Sequence, residues 1–109
     1  MVWGDIQFKY RIMQTLENVI NEISKVNHPA INYSLLKLGI VKDVELADNS
    51  VILTFAFPFP GIPIADRLIS SIQEPVEAMG LKLEYIVKIM NEEEKATFLQ
   101  LEGEAWKGL

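Results

Sequence analysis

The chain has 109 residues, half of them hydrophobic, and a formal net charge of −5, which is typical of a soluble single domain with one hydrophobic core. Because acidic residues outnumber the scattered lysines and arginines, nucleic acid is not an expected partner. The sequence contains no cysteine and one histidine, His28, which excludes disulfides, thiol catalysis, a Cys/His zinc site and an iron–sulfur cluster held by the chain's own thiolates.

The first half of the chain predicts a helix followed by a β-hairpin. Apolar residues recur at helical spacing over residues 6–26, and Pro29 should end this helix because it disfavours helical angles at the residue before it. Residues 30–39 predict an irregular or single-turn helical segment. Two β-rich runs at 40–46 and 51–57 flank the turn-forming letters "ADNS" and predict an antiparallel hairpin.

A rigid bend and a second helix follow the hairpin. Residues 58–63 read "PFPGIP", and we call them the proline corner because three prolines and a glycine exclude regular backbone there. Pro63 suits the first turn of a helix, where its missing N–H costs nothing. Inside that helix Pro75 predicts a kink, or a short second piece that ends at Gly80.

The last third predicts a strand and a terminal helix. Residues 81–89 alternate apolar and polar, which predicts a strand with one face in water. Asn91 and Glu94 have the spacing of a capping box at the start of a helix. The predicted fold is α/β (α+β), a two-layer domain of order α-β-β-α-β-α over residues 1–109. Its small mixed three-stranded sheet carries helices mainly on one face, and a right-handed crossover makes the second and third strands parallel.

The proline corner has two functional interpretations. The backbone N–H groups of Gly61, Ile62 and Ile64 lie before a helix, where an anion can bind. However, Pro60 and Pro63 donate nothing, and Asp66 competes for the same positive helix end. We therefore favour a structural bend that presents apolar surface to a partner or a second subunit. The alternative without a binding role is that the corner only packs against the core.

Other candidate residues carry weaker signals. His28 beside an aspartate has the elements of a general base, but a lone histidine before a proline is more often a surface residue. The carboxylates Glu92–Glu94 attract cations, although acids at a helix start ordinarily complement the helix dipole. Trp3 and Trp106 suit interface anchors, while docking on the domain's own core is the more common role.

The motifs as a set resemble a known family. "LGIV" at 38–41 and "PGIP" at 60–63, in this order and spacing, resemble the small domain associated with iron–sulfur cluster assembly. That domain occurs in SufT-like and PaaD-like proteins, in the cytosolic iron–sulfur targeting component of eukaryotes and ahead of Mrp-type P-loop ATPases. The resemblance covers residues 10–90. It implies an α/β two-layer fold and a role in maturing or delivering clusters through protein contacts.

The chain departs from this family at its polar positions. The resemblance implies an Asp-Pro-Glu sequence in the first loop, a threonine at the end of the second strand and a cysteine between the glycine and proline of the corner. This chain has His28-Pro29-Ala30, Pro58 and Ile62 at those places. The apolar scaffold of the implied site is therefore kept, while its thiol and its polar residues are replaced.

These observations predict a non-catalytic interaction or assembly factor in the cytoplasm, with no signal peptide and no membrane span. The expected partner is a protein (a cluster scaffold, carrier or client) or a second copy in a homodimer. No cofactor, metal site or catalytic residue is predicted for the chain itself. The predicted binding residues are Phe59, Pro60, Gly61, Ile62, Pro63, Asp66 and His28.

Two alternatives remain open. A small-molecule-binding or regulatory module of the same build predicts a pocket beneath the corner, lined by Phe57, Phe59, Ile62 and Tyr85. An enzyme is the least favoured class, because the polar residues do not converge on an identifiable site.

Overall fold

The computed structural model describes residues 15–108. The elements within this range are α1 (Leu16–Ile23), β1 (Val41–Ala47), β2 (Ser50–Phe57), α2 (Ala65–Ala78), β3 (Lys82–Ile89) and α3 (Glu92–Ala105). This order confirms the predicted α-β-β-α-β-α fold class. The predicted part of the first helix before residue 15, and Trp3 with it, lie outside the described residues. None of the helices in residues 15–108 combines the length and apolar character that crossing a bilayer requires.

The sheet is mixed and β2 is its central strand. β1 pairs antiparallel with β2 and brings Leu46 opposite Val51. β2 and β3 are parallel, with Leu53 opposite Tyr85, and α2 forms the crossover between them. Asp48 in the hairpin turn has φ 53, a left-handed angle that aspartate tolerates. The predicted hairpin and the predicted parallel pair are therefore both confirmed.

The core lies against β2. Phe55 is fully buried at its centre, and its ring meets the ring of Tyr85 edge-on at 5.3 Å between centroids, a favourable aromatic geometry. Leu68, Ile72 and Val76 recur every four residues along α2 and form its buried stripe. Leu35, Leu38 and Ile40, in the turn segment before β1, complete the cluster.

α2 is one continuous helix that includes Pro75 in its last turn. The predicted second helical piece does not form. Only three residues follow Pro75 before the helix ends at Ala78, so the missing N–H removes a single bond near the end of the helix. Burial of Val76 in the core holds this last turn in place.

α3 begins at the predicted capping box. Asn91 Oδ1 accepts the Glu94 N–H at 2.7 Å, and Glu94 Oε1 accepts the Asn91 N–H at 2.9 Å. Phe98 is the buried residue of this helix, and Trp106 just beyond its end is half-exposed. The end of α3 is tied to the loop after α1, because the Asn32 N–H donates to the Ala105 carbonyl at 2.9 Å.

The prediction that β3 has only one wet face is wrong. Three residues of β3 lie on the same side of the sheet as their buried partners on β2 (Leu53, Phe55 and Phe57). These residues are Tyr85, Val87 and Ile89, and all three are exposed. β3 is an edge strand, and Leu81 just before it is buried whereas the second half of the strand is open within residues 15–108. A period of two reveals which residues share a face but not whether another element covers that face.

Candidate functional site: the proline corner

The proline corner turns the chain from the end of β2 into the start of α2. Gly61 has φ +69, an angle that glycine adopts without strain. The Ala65 N–H donates to the Ile62 carbonyl at 3.1 Å, which closes the turn before the helix begins. Pro58 is buried, whereas Phe59 at the tip has 44% of its surface exposed. The rigid bend therefore holds an aromatic ring partly in solvent.

A pocket of about 300 Å³ lies beside the corner. Four of the predicted binding residues line it together: His28, Phe59, Ile62 and Pro63. Its other walls come from the sheet, α2 and α3. The remaining lining residues are mostly apolar: Ile40, Phe57, Pro58, Ile64, Leu68, Phe98 and Glu102.

Other residues singled out from the sequence lie elsewhere. Pro60 and Gly61 shape the turn, are exposed and do not line the pocket. Asp66 is exposed in the first turn of α2, where a carboxylate complements the helix dipole. Tyr85 was expected beneath the corner but packs against Phe55 instead, because the parallel register places it opposite Leu53, well before the end of β2.

The two pocket residues that α3 supplies were missed by sequence reasoning. Phe98 and Glu102 come from α3, more than thirty positions after the corner. Their spacing of four residues shows that they share a helix face. Which part of the domain this face meets depends on the path of the whole chain, so no local signal assigns it to the corner.

His28 forms the polar side of the pocket and is only 8% exposed. Its Nδ1 accepts the Ala30 N–H at 3.0 Å, which leaves the proton of the neutral ring on Nε2. Burial lowers the pKa of His28 below its ordinary value of 6.5, and the positive charges of Lys107 and Arg67 lower it further. The ring is therefore a neutral, structurally engaged group at neutral pH.

The mouth of the pocket carries charge from α3. Lys95 Nζ lies 4.4 Å from the centroid of the Phe59 ring, within cation–π range. Nearby, Lys42 of β1 pairs with Glu94, and the hydrogen bond from Lys42 is the largest cause of a lowered Glu94 pKa, ahead of the Asn91 backbone N–H. Glu94 thus caps a helix and joins it to the sheet. Among residues 15–108, no three histidine or acidic side chains are grouped closely enough to hold a metal ion.

The arrangement of the described residues is suited to binding an apolar group. Apolar side chains make up most of the wall, and the buried histidine has one ring nitrogen occupied by the backbone. In residues 15–108 no hydrogen bond joins His28 to an aspartate, so the dyad of a general base is not formed. An apolar hollow with an exposed aromatic ring at its edge suits contact with an apolar group.

Comparison with known proteins identifies a family. The profile of the family described as "Iron-sulfur cluster assembly protein" matches residues 16–84, which is more than half of the chain. An "Fe-S protein maturation auxiliary factor" of Porphyromonas gingivalis is 31% identical over 72 residues, which are 64% of this chain and 69% of the relative.

A solved structure has the same fold. The crystal structure of a domain of unknown function, DUF59, from Bacillus anthracis superimposes with a TM-score of 0.55 at 18% identity, and the match covers 78% of this chain and 89% of that one. At this identity the match concerns architecture alone. The matched profile and the relative establish the lineage: the chain belongs to the iron–sulfur cluster assembly protein family.

Proposed function

We propose that this protein is a non-catalytic factor of iron–sulfur cluster assembly that acts in the cytoplasm by binding another protein. The partner is a cluster scaffold, a carrier or a client protein that receives the cluster. The proposed contact residues are those of the corner and its surroundings: Phe59, Pro60, Gly61, Ile62, Pro63, Asp66 and His28.

One observation carries this proposal: a rigid, apolar corner with an exposed phenylalanine remains where thiol chemistry is impossible. The sequence has no cysteine, and thiolates are the usual ligands of iron–sulfur clusters. The cluster is therefore cargo that the partner holds. Exposed aromatic rings that are held in place are typical anchors of protein interfaces.

Phe59 and Leu99 provide a matched pair of variants for the test. Phe59 is 44% exposed at the corner, and Leu99 is 43% exposed on α3, so either can be changed to serine with little effect on the core. Tagged wild-type protein, Phe59→Ser and Leu99→Ser are used to capture partners from the native organism under anaerobic conditions. Mass spectrometry identifies the captured proteins, and iron content measures cluster loading of a captured client.

We expect wild type and Leu99→Ser to recover the same cluster scaffold, carrier or client, and Phe59→Ser to lose it. Circular dichroism checks that all three proteins are folded. Recovery of the partner by Phe59→Ser at wild-type level would contradict the role of the corner. Capture of only proteins unrelated to clusters would contradict the proposed function.

The pocket itself favours a second candidate function, binding of a small apolar metabolite. Its volume of about 300 Å³ is at the lower end of the range of small-molecule sites. His28 and Glu102 supply polar groups in an otherwise apolar wall. Amide chemical shifts recorded with a library of small apolar acids and amides test this function. Shifts confined to the corner and α3 would support it, and a library without such a hit would count against it.

A further inference from the structure

The outer edge of β3 is unpaired within residues 15–108. Of the three strands, β3 pairs with β2 on one side only, so alternate backbone N–H and C=O groups along its eight residues point outward. Natural edge strands are usually short, bulged, rich in charge or interrupted by proline. The sequence of β3, "KLEYIVKI", has neither proline nor bulge, and its register with β2 is unbroken over the whole strand.

The side chains of β3 add apolar surface to this open edge. Tyr85, Ile86, Val87 and Ile89 are between 43% and 64% exposed. Because successive residues of a strand point to opposite faces, Ile86 lies on one face and the other three on the opposite face. A partner that covered only one face would leave part of this surface in water. A strand added at the edge contacts both faces at once.

We propose that the partner at this edge is a second copy of the chain, and that two β3 strands pair antiparallel about a twofold axis at Ile86. In this register Ile86 faces Ile86 of the second copy, and Tyr85 faces Val87 of the second copy. Glu84 then lies opposite Lys88 of the second copy, and by symmetry Lys88 lies opposite Glu84 of the second copy. Opposite charges that face each other across antiparallel strands stabilise the pairing.

Charge selects this register over its neighbours. A twofold axis perpendicular to the sheet keeps each side chain on its own face, so the axis must pass through a residue and not between two residues. The neighbouring registers are therefore those with the axis at Tyr85 or at Val87. Centred on Tyr85, the pairing would place Lys82 against Lys88 of the other copy, twice. Centred on Val87, it would place Glu84 against Met90 and leave all charges unpaired. Only the axis at Ile86 pairs both Glu84 and Lys88.

Neither charged residue lies directly opposite a charged residue of its own β2, although Lys88 is close enough to the Lys42–Glu94 pair for its charge to lower the Glu94 pKa. Glu84 lies opposite Ile52, and Lys88 lies opposite Ala56. The twofold operation would join the two sheets into one continuous sheet with both sets of helices on the same face. None of the residues of β3 lines the corner pocket, so the proposed dimer uses none of the corner's lining residues and is tested independently of the function proposed above.

Sedimentation velocity of the full chain, over about 1–200 µM, tests the proposal. We expect a dimer that Ile86→Lys dissociates, because the change brings two ammonium groups together at the axis and raises the dissociation constant at least about tenfold. Leu99→Lys is the matched control, since it places the same charge on an exposed apolar residue of α3 and should keep the dimer. A wild-type chain that is monomeric throughout this range would overturn the proposal, and so would an Ile86→Lys dimer of unchanged affinity.

A charge exchange tests the register and stays decisive if Ile86→Lys fails to fold. Glu84→Lys and Lys88→Glu each create two like-charge contacts across the axis and should weaken the dimer. The double variant recreates both opposite-charge pairs and should restore it. Within one chain the two residues are four positions apart on a strand, roughly 13 Å, so restoration cannot come from their own contact. If the double variant is as weak as the single ones, the axis does not lie at Ile86.

Discussion

Lys95 Nζ lies 4.4 Å from the centroid of the Phe59 ring, so a residue of the last helix covers part of the exposed tip of the proline corner. The same helix contributes Phe98 and Glu102 to the pocket. Docking of α3 and the shape of the corner are therefore coupled, and damage to one should be measurable at the other.

This contact predicts a coupling energy between Lys95 and Phe59. A cation over an exposed aromatic ring contributes about 0.5–1 kcal/mol, so Lys95→Gln should lower the free energy of unfolding by about that amount. Urea denaturation of Lys95→Gln, Phe59→Leu and the double variant measures the coupling. Strict additivity of the two single effects would show that the contact contributes nothing to stability.

Replacing glycine by alanine should have opposite effects on stability at two positions of the chain. Gly61 has φ +69 and Gly103 is helical, and an added Cβ meets nothing within 4 Å at either position. Gly61→Ala should therefore cost about 1–2 kcal/mol from backbone strain alone. Gly103→Ala should stabilise α3 by about 0.5–1 kcal/mol. Thermal unfolding of both variants tests the pair, and a loss of stability in both would contradict the assigned backbone conformations.

The buried His28 predicts that the protein is less stable in weak acid. Its folded-state pKa is lowered, first by burial and then by Lys107 and Arg67. The unfolded chain therefore binds a proton more readily than the folded chain does. The contribution of neutral His28 to the free energy of unfolding should be fully present above pH 6.5, the ordinary pKa of histidine. This contribution should be lost as the pH falls through the lowered folded-state pKa.

His28→Asn is the control for this pH effect. Its Oδ1 can accept the Ala30 N–H two residues on, as in an Asx turn, but the side chain does not titrate. Chemical denaturation between about pH 8 and about pH 5 should show a flatter profile for the variant than for wild type. Identical slopes would mean that His28 does not carry the effect.

The Lys42–Glu94 pair predicts a second dependence on pH. Glu94→Gln keeps an acceptor for the capping box but removes the carboxylate that pairs with Lys42. The variant should be less stable than wild type at neutral pH. The hydrogen bond from Lys42 lowers the Glu94 pKa below its ordinary value of 4.5, so wild type should lose this advantage as the pH falls through the lowered pKa. Two unfolding curves that stay equally far apart at all pH values would contradict this role.

Much of the fold was predictable because its signals are local. The hairpin follows from two β-rich runs around a turn, and the start of α3 follows from Asn91 and Glu94, three residues apart. Each signal depends on neighbours that are close along the chain. Pro75 shows the limit of such rules, because its cost depends on how much of the helix follows it.

The candidate site was predictable only in part. The residue types of the corner identified Phe59, Ile62 and Pro63 as one surface, and the structure brings His28 to them. Tyr85 was misplaced because the register between β2 and β3 is a long-range property. The exposure of β3 also escaped prediction, since an alternating pattern does not reveal which strand is at the edge.

By itself, the sequence determined the order of the elements, the rigidity of the corner and the absence of any thiolate, because each depends on residue identity and short spacing. The tertiary structure decided that α3 lines one side of the corner pocket and that, within residues 15–108, β3 is left unpaired at its outer edge. Both outcomes depend on contacts between segments far apart in the chain. Such contacts are set by how the apolar faces pack together in space, and periodicity along the sequence does not encode their pairing.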